Sequence, residues 1–96
     1  MDKKLIEKIV ISTVQELVDS FTDEDKFSVS KETILFGQGS EIDSLSLVSV
    51  IVDLEDIISE NYGIDISLTD DNAMTREISP FDDISNLIDY IEEITN

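Results

Sequence analysis

The chain has 96 residues, a formal charge of -17 from 23 acidic and six basic residues, 41% hydrophobic residues, and neither cysteine nor histidine. That length holds one small domain, 1–96, and the apolar content is enough for it to fold. The charge argues against nucleic acid and anionic membrane surfaces as partners. The missing residue types exclude a disulfide framework, a thiol nucleophile, a Ser-His-Asp triad and a histidine- or thiolate-ligated zinc site.

Leu5, Ile6, Ile9, Val10, Val14, Leu17, Val18 and Phe21 recur at three- and four-residue steps and predict a first helix from about Lys3 to Phe21. Lys3 and Glu7 are spaced to pair across one turn. The polar face is mixed, so this helix reads as a core helix rather than a membrane-surface one. Met1-Asp2-Lys3-Lys4 leads into it directly, unlike a signal peptide, and no apolar run is long enough to span a bilayer; a cytoplasmic location is expected.

A long connection follows, from Thr22 to Ile42, in which Phe27, Val29, Ile34, Leu35 and Phe36 are candidates for pinning the chain to the core. Ser30-Lys31-Glu32-Thr33 reads as a single turn, and Gly37 and Gly39 allow sharp bends. The acids Asp23, Glu24 and Asp25 lack the alternating ligand pattern and closing glutamate of a calcium loop, so no metal site is expected.

The second helix is the informative one. Asp43 is a preferred N-cap type, Ser44 would be the first helical residue, and the apolar pattern runs to Asn61-Tyr62-Gly63, where Gly63 suits the left-handed turn that ends a helix. The helix is read as about Ser44 to Asn61. With Leu45 at zero and about 100° per residue, Leu47, Val50, Ile51, Leu54, Ile57 and Ile58 fall between roughly 120° and 240°, a stripe that can face a core. Leu45, Val48 and Val52 fall at roughly 300° to 360°, nearly opposite it, among Asp53, Glu55, Asp56 and Glu60. Isolated exposed aliphatics are ordinary. This strip gains meaning because it begins beside Ser44.

Ile64, Ile66 and Leu68 alternate with polar residues and suggest an extended segment laid over the helices. A short helical turn through Asn72, Ala73 and Met74 is expected after Thr69-Asp70. Pro80 bars any helix from continuing past it, Phe81 is placed at the base of the core, and Asp82 or Asp83 caps a last helix whose stripe is Ile84, Leu87, Ile88, Ile91 and Ile94.

Asp43-Ser44-Leu45 at the head of an acidic amphipathic helix resembles the attachment motif of acyl carrier proteins. The resemblance covers nearly the whole chain: a first helix, a long loop, the serine helix, Ser79-Pro80-Phe81, and a last helix containing Ile88-Asp89-Tyr90-Ile91. It implies an all-α fold, a small four-helix bundle with a long first loop and a short third helix. It also implies that Ser44 carries 4′-phosphopantetheine through a phosphodiester installed by a phosphopantetheinyl transferase, and that the protein, itself no enzyme, holds acyl groups as thioesters for partner enzymes in fatty-acid, polyketide or related biosynthesis. Leu45, Val48 and Val52 then correspond to apolar partner contacts, and Asp43, Glu55 and Asp56 to the acids that meet basic docking patches. Ser49 departs from the pattern, since many members carry an acid there. A monomer is expected, with Val48→Asp or Glu55→Lys impairing partner recognition and sparing the fold. The alternative from another class is an unmodified acidic helical adaptor that grips a basic partner through the same strip.

Charge is segregated along the chain. Lys3, Lys4, Lys8, Lys26 and Lys31 all precede the second helix, and Arg76 is the only base after them. The serine helix therefore presents an almost purely negative field, suited to capture by basic surfaces.

Overall fold

The computed structural model describes residues 2–21, 26–36, 42–68 and 81–95. Among them the chain forms three helices, α1 (Lys3–Asp19), α2 (Ser44–Tyr62) and α3 (Ile84–Thr95), and no strand. The expected turn through Asn72, Ala73 and Met74, the acids Asp23, Glu24 and Asp25, and the hinge glycines Gly37 and Gly39 lie outside the described residues.

Helix α1 packs against both α2 and α3. Its buried positions Ile6, Val10, Val14 and Val18 follow one another at four-residue steps, which is why a single stripe reaches both neighbours. Thr13 is buried in the same face, and its hydroxyl donates to the Ile9 carbonyl at 2.8 Å, so the polar group enters the core with its partner supplied. Leu47, Val50, Ile51, Leu54 and Ile58 of α2 and Ile84, Leu87, Ile88 and Ile91 of α3 complete one core; Ile57 and Ile94 are only partly buried against it. Tyr90, which the aliphatic stripe of α3 passes over, is also buried.

The helix ends follow local chemistry. Asp2 caps α1, and the helix stops at Asp19, two residues before Phe21, where the Ser20 N–H and hydroxyl both donate to the Leu17 carbonyl. Helix α2 runs one residue past Asn61, to Tyr62, and closes at Gly63 with φ +66°. Asp83, the second of the two candidate caps, accepts the Asn86 N–H at 2.8 Å to start α3.

The connecting segments are tied down by specific bonds. Gln15 on α1 donates through Nε2 to the Phe27 carbonyl at 3.1 Å and accepts the Val29 N–H through Oε1 at 2.9 Å. Ser30 to Thr33 form the expected turn, closed by the Thr33 N–H on the Ser30 carbonyl at 3.1 Å. An isolated antiparallel bridge then joins Ile34 to Asp83 at the start of α3. Here the sequence expectation needs correction: Leu35 is fully buried, but Ile34 and Phe36 are 40% and 52% exposed. In an extended segment consecutive side chains point to opposite sides, so seating Leu35 turns both neighbours outward. The extended stretch after Gly63 obeys the same rule, with Leu68 buried, Ile64 and Ile66 partly so, and Asp65 and Ser67 exposed.

The expected Lys3–Glu7 pair is replaced by tertiary pairs. Lys3 Nζ lies 2.8 Å from Asp89 Oδ1 on α3, and Glu7 Oε2 lies 3.5 Å from Lys31 Nζ on the connecting segment. The Asp89 carboxylate, through its hydrogen bond and its charge, raises the Lys3 pKa above its ordinary value. These pairs are exposed and modest in energy. They nevertheless show α1 meeting its neighbours through charge as well as packing.

Candidate functional site

The head of α2 is built by two neighbouring residues with different tasks. Asp43 has extended backbone, φ -79° and ψ 169°, and its Oδ1 accepts the Ser46 N–H at 2.7 Å while its carbonyl accepts the Leu47 N–H at 3.0 Å. Ile42 just before it and Leu47 within the first helical turns are both buried. They occupy the two positions of a hydrophobic staple, which fixes the angle at which the chain enters a helix. Ser44 is thereby set as the first residue of α2.

The Ser46 backbone N–H holds the Asp43 carboxyl below its ordinary pKa, with further help from the Ser46 hydroxyl and the Leu45 N–H. Asp43 is thus an anion that already occupies part of the positive end of the helix. Any second anion bound covalently at position 44 would share that end with it.

Directly after Ser44 comes the exposed apolar strip. Leu45 is 83% exposed, Val48 55% and Val52 47%, while Leu47, Val50, Ile51 and Leu54 between and beyond them are buried. Asp43, Asp53 and Asp56 are exposed along the same helix, as is Ser49. The structure therefore brings Asp43, Leu45, Val48, Val52 and Asp56 to the outer surface of α2, in a line that starts beside Ser44 and reaches Asp56 about 18 Å along the helix.

Glu55 differs from the other acids. It is half-buried, and its Oε2 accepts the Leu68 N–H at 2.8 Å, fastening the extended segment to α2. Nothing in the sequence marked this bond, because it joins residues 13 apart through a turn whose geometry only the folded chain defines. Glu55→Lys consequently removes an acceptor as well as a charge and cannot be expected to spare the fold.

A groove of about 310 Å³ opens along the α1–α2 seam beside Ile57, Asn61 and Tyr62. Ile57 is 13 residues after Ser44 in α2, so at about 1.5 Å per residue the groove lies roughly 20 Å from the head of the helix. It is a separate feature. Among the described residues no cluster of three or more potential metal ligands occurs, and no helix is long and apolar enough to cross a membrane.

Comparisons with known protein families, with characterised proteins and with solved structures find no match to this chain. The functional reading therefore stands on the residues and their geometry.

Proposed function

We propose that this chain is an acyl carrier domain, with Ser44 the attachment point for 4′-phosphopantetheine. The observation that carries the proposal is the juxtaposition at the head of α2: a serine as first helical residue, capped by Asp43, with Leu45, Val48 and Val52 exposed immediately beyond it. These side chains are exposed and lie where a partner enzyme approaching the serine would meet them.

The residues present suit the group. Position 44 offers a hydroxyl, and the chain, having no cysteine or histidine, supplies no thiol or imidazole of its own. When bound, the prosthetic group would supply the terminal thiol on which acyl groups are held as thioesters. The protein's own residues do the rest. Asp43 fixes the start of the helix, the apolar strip provides a desolvated contact, and Asp43, Glu55 and Asp56 give the partner's basic patch its electrostatic target. Weak, fast association follows from charges that lie at the rim.

The reading brings with it the four-helix form, the short third helix passing through Asn72, Ala73 and Met74. The carrier would act as a cytoplasmic monomer, meeting a phosphopantetheinyl transferase and then the acyl-loading and acyl-transferring enzymes of fatty-acid, polyketide or related biosynthesis. It is a substrate of those enzymes and performs no catalysis itself.

The test is mass spectrometry of the intact protein after incubation with coenzyme A and a broad-specificity phosphopantetheinyl transferase. Wild type should gain one phosphopantetheine and Ser44→Ala none. If wild type gains nothing, the same strip and acids describe an unmodified adaptor for a basic partner, and the carrier assignment is withdrawn.

A further inference from the structure

Several of the chain's few bases lie on or beside the first half of α1. Lys4 and Lys8 are exposed one turn apart, and Lys31 reaches them from the connecting segment, already neutralising Glu7 at 3.5 Å. These three lysines border a hollow of about 510 Å³. Lys8 and Ser12 form a ridge, and on its far side lies the α1–α2 groove of about 310 Å³, whose apolar part is Leu5, Ile9 and Ile57. Tyr62, 40% exposed, lines the same groove.

Three of the chain's six bases thus meet, with Glu7 among them, beside a cleft of mixed polar and apolar lining, in a molecule of net charge -17. Glu7 lines the same hollow and pairs with Lys31, which leaves Lys4 and Lys8 as the excess charge. The Debye length at physiological salt is about 8 Å, so a short segment resting there responds chiefly to these lysines and less to the acids of α2 and α3. A membrane or a duplex is larger than that length and would meet the whole negative molecule. Glu16 sets a further limit. It lines the groove eight residues after Lys8, so the part of a ligand lying near it must be neutral or basic.

We infer that this face of α1 binds an acidic peptide segment of a partner protein, its carboxylates over Lys4 and Lys8 and one aliphatic or aromatic side chain in the groove between Ile9 and Ile57. On α2, Ile57 and Asn61 lie at roughly 120° and 160° from Leu45, whereas Val48 and Val52 lie at roughly 300° and 340°. Ile57 and Asn61 thus face away from the strip, and Tyr62, at roughly 260°, is ten residues beyond Val52, about 15 Å along the axis. The peptide can therefore hold the domain while the strip beside Ser44 stays open to other partners. The inference is independent of what, if anything, Ser44 carries.

The test is an NMR titration of the full, unmodified chain with synthetic peptides in which three glutamates precede a leucine, phenylalanine or tryptophan and a neutral tail. Amide shifts are expected at Lys4, Lys8, Ser12, Asn61 and Tyr62, with little change at Leu45, Val48 or Val52. Affinity should fall about ten-fold in the Lys4→Glu, Lys8→Glu double variant, as loss of paired charges at a surface contact predicts. Both lysines are exposed, so the variant is expected to fold, and its circular dichroism verifies that. The inference is overturned if no peptide of the panel moves those amides, if the double variant binds as well as wild type, or if phosphatidylglycerol vesicles move them and the peptides do not.

Discussion

Val52 and Leu54 are two residues apart on α2 and chemically alike, yet Val52 is 47% exposed and Leu54 is fully buried. The inner face of the helix, Leu47, Val50, Ile51, Leu54 and Ile58, is accounted for by the core it completes. The outer face, Leu45, Val48 and Val52, is exposed and is not part of that core among the described residues. Isolated exposed aliphatics are ordinary, so what these three residues do is decided by experiment, and the proposed function assigns them contact with another molecule. Composition alone cannot separate the two sets; their angle around the helix does.

Substitutions on the two faces should therefore diverge, and the largest effect is on the inner one. Leu54→Ala should lower stability by about 2–5 kcal/mol, the usual cost of a cavity at a fully buried leucine. For a domain whose total is of order 5–14 kcal/mol, that is a large share. Val48→Asp should change stability by about 0.5 kcal/mol or less. Urea titration of both variants reads the contrast directly. The same Val48→Asp protein should be modified by the transferase more slowly than wild type, and an unchanged rate would leave the outer strip without a role.

Glu55 is the residue on which the contrast between faces breaks down, because it belongs to the acidic surface and also secures Leu68 at 2.8 Å. Two substitutions separate its tasks. Glu55→Gln keeps a side-chain oxygen for the Leu68 N–H and loses the charge, so stability should be near wild type while partner recognition weakens. Glu55→Ala leaves a backbone donor without its partner and should cost about 1–3 kcal/mol. Hydrogen exchange at the Leu68 amide should be faster in the alanine variant than in the glutamine variant. Equal exchange in the two would show that the bond does not hold the segment.

Much of this was legible in the sequence, and most of what was missed lies in pairings between segments. The helix starts at Ser44 and Ile84, the Gly63 cap and the inner and outer stripes of α2 all depend on local spacing and capping, and the chain displays these in order. The partners of Lys3, Gln15 and Glu55 lie on other segments, at Asp89, at Phe27 and Val29, and at Leu68. No periodicity within one helix encodes such a pair. At the site the same division holds. Asp43, Ser44 and the strip were readable, but the double task of Glu55 and the lysine-bordered groove on α1 needed the packed structure. Ile34 and Phe36 were misassigned because apolar character was weighed without the alternation that an extended backbone imposes.

The smallest predicted effect concerns the cap on which both faces of α2 depend. Asp43 has a folded-state pKa below its ordinary value, chiefly because its carboxylate accepts the Ser46 N–H. The ionised form is thus favoured by folding. Its contribution is fully present above the ordinary aspartate range and is lost as pH falls through the lower, folded value. Many other carboxylates titrate nearby, so the absolute pH dependence of melting cannot isolate this one. Comparison with Asp43→Asn can, since asparagine also caps helices but does not titrate. The melting temperatures of the two proteins should follow different courses through the acid range, wild type losing more as Asp43 is protonated. The Ser46 amide resonance should titrate in wild type with a midpoint below that of an ordinary aspartate. If the two proteins melt in parallel across that range and the Ser46 amide shows no such midpoint, the charge of Asp43 contributes nothing to the start of α2, and its place beside Ser44 must be explained by partner recognition alone.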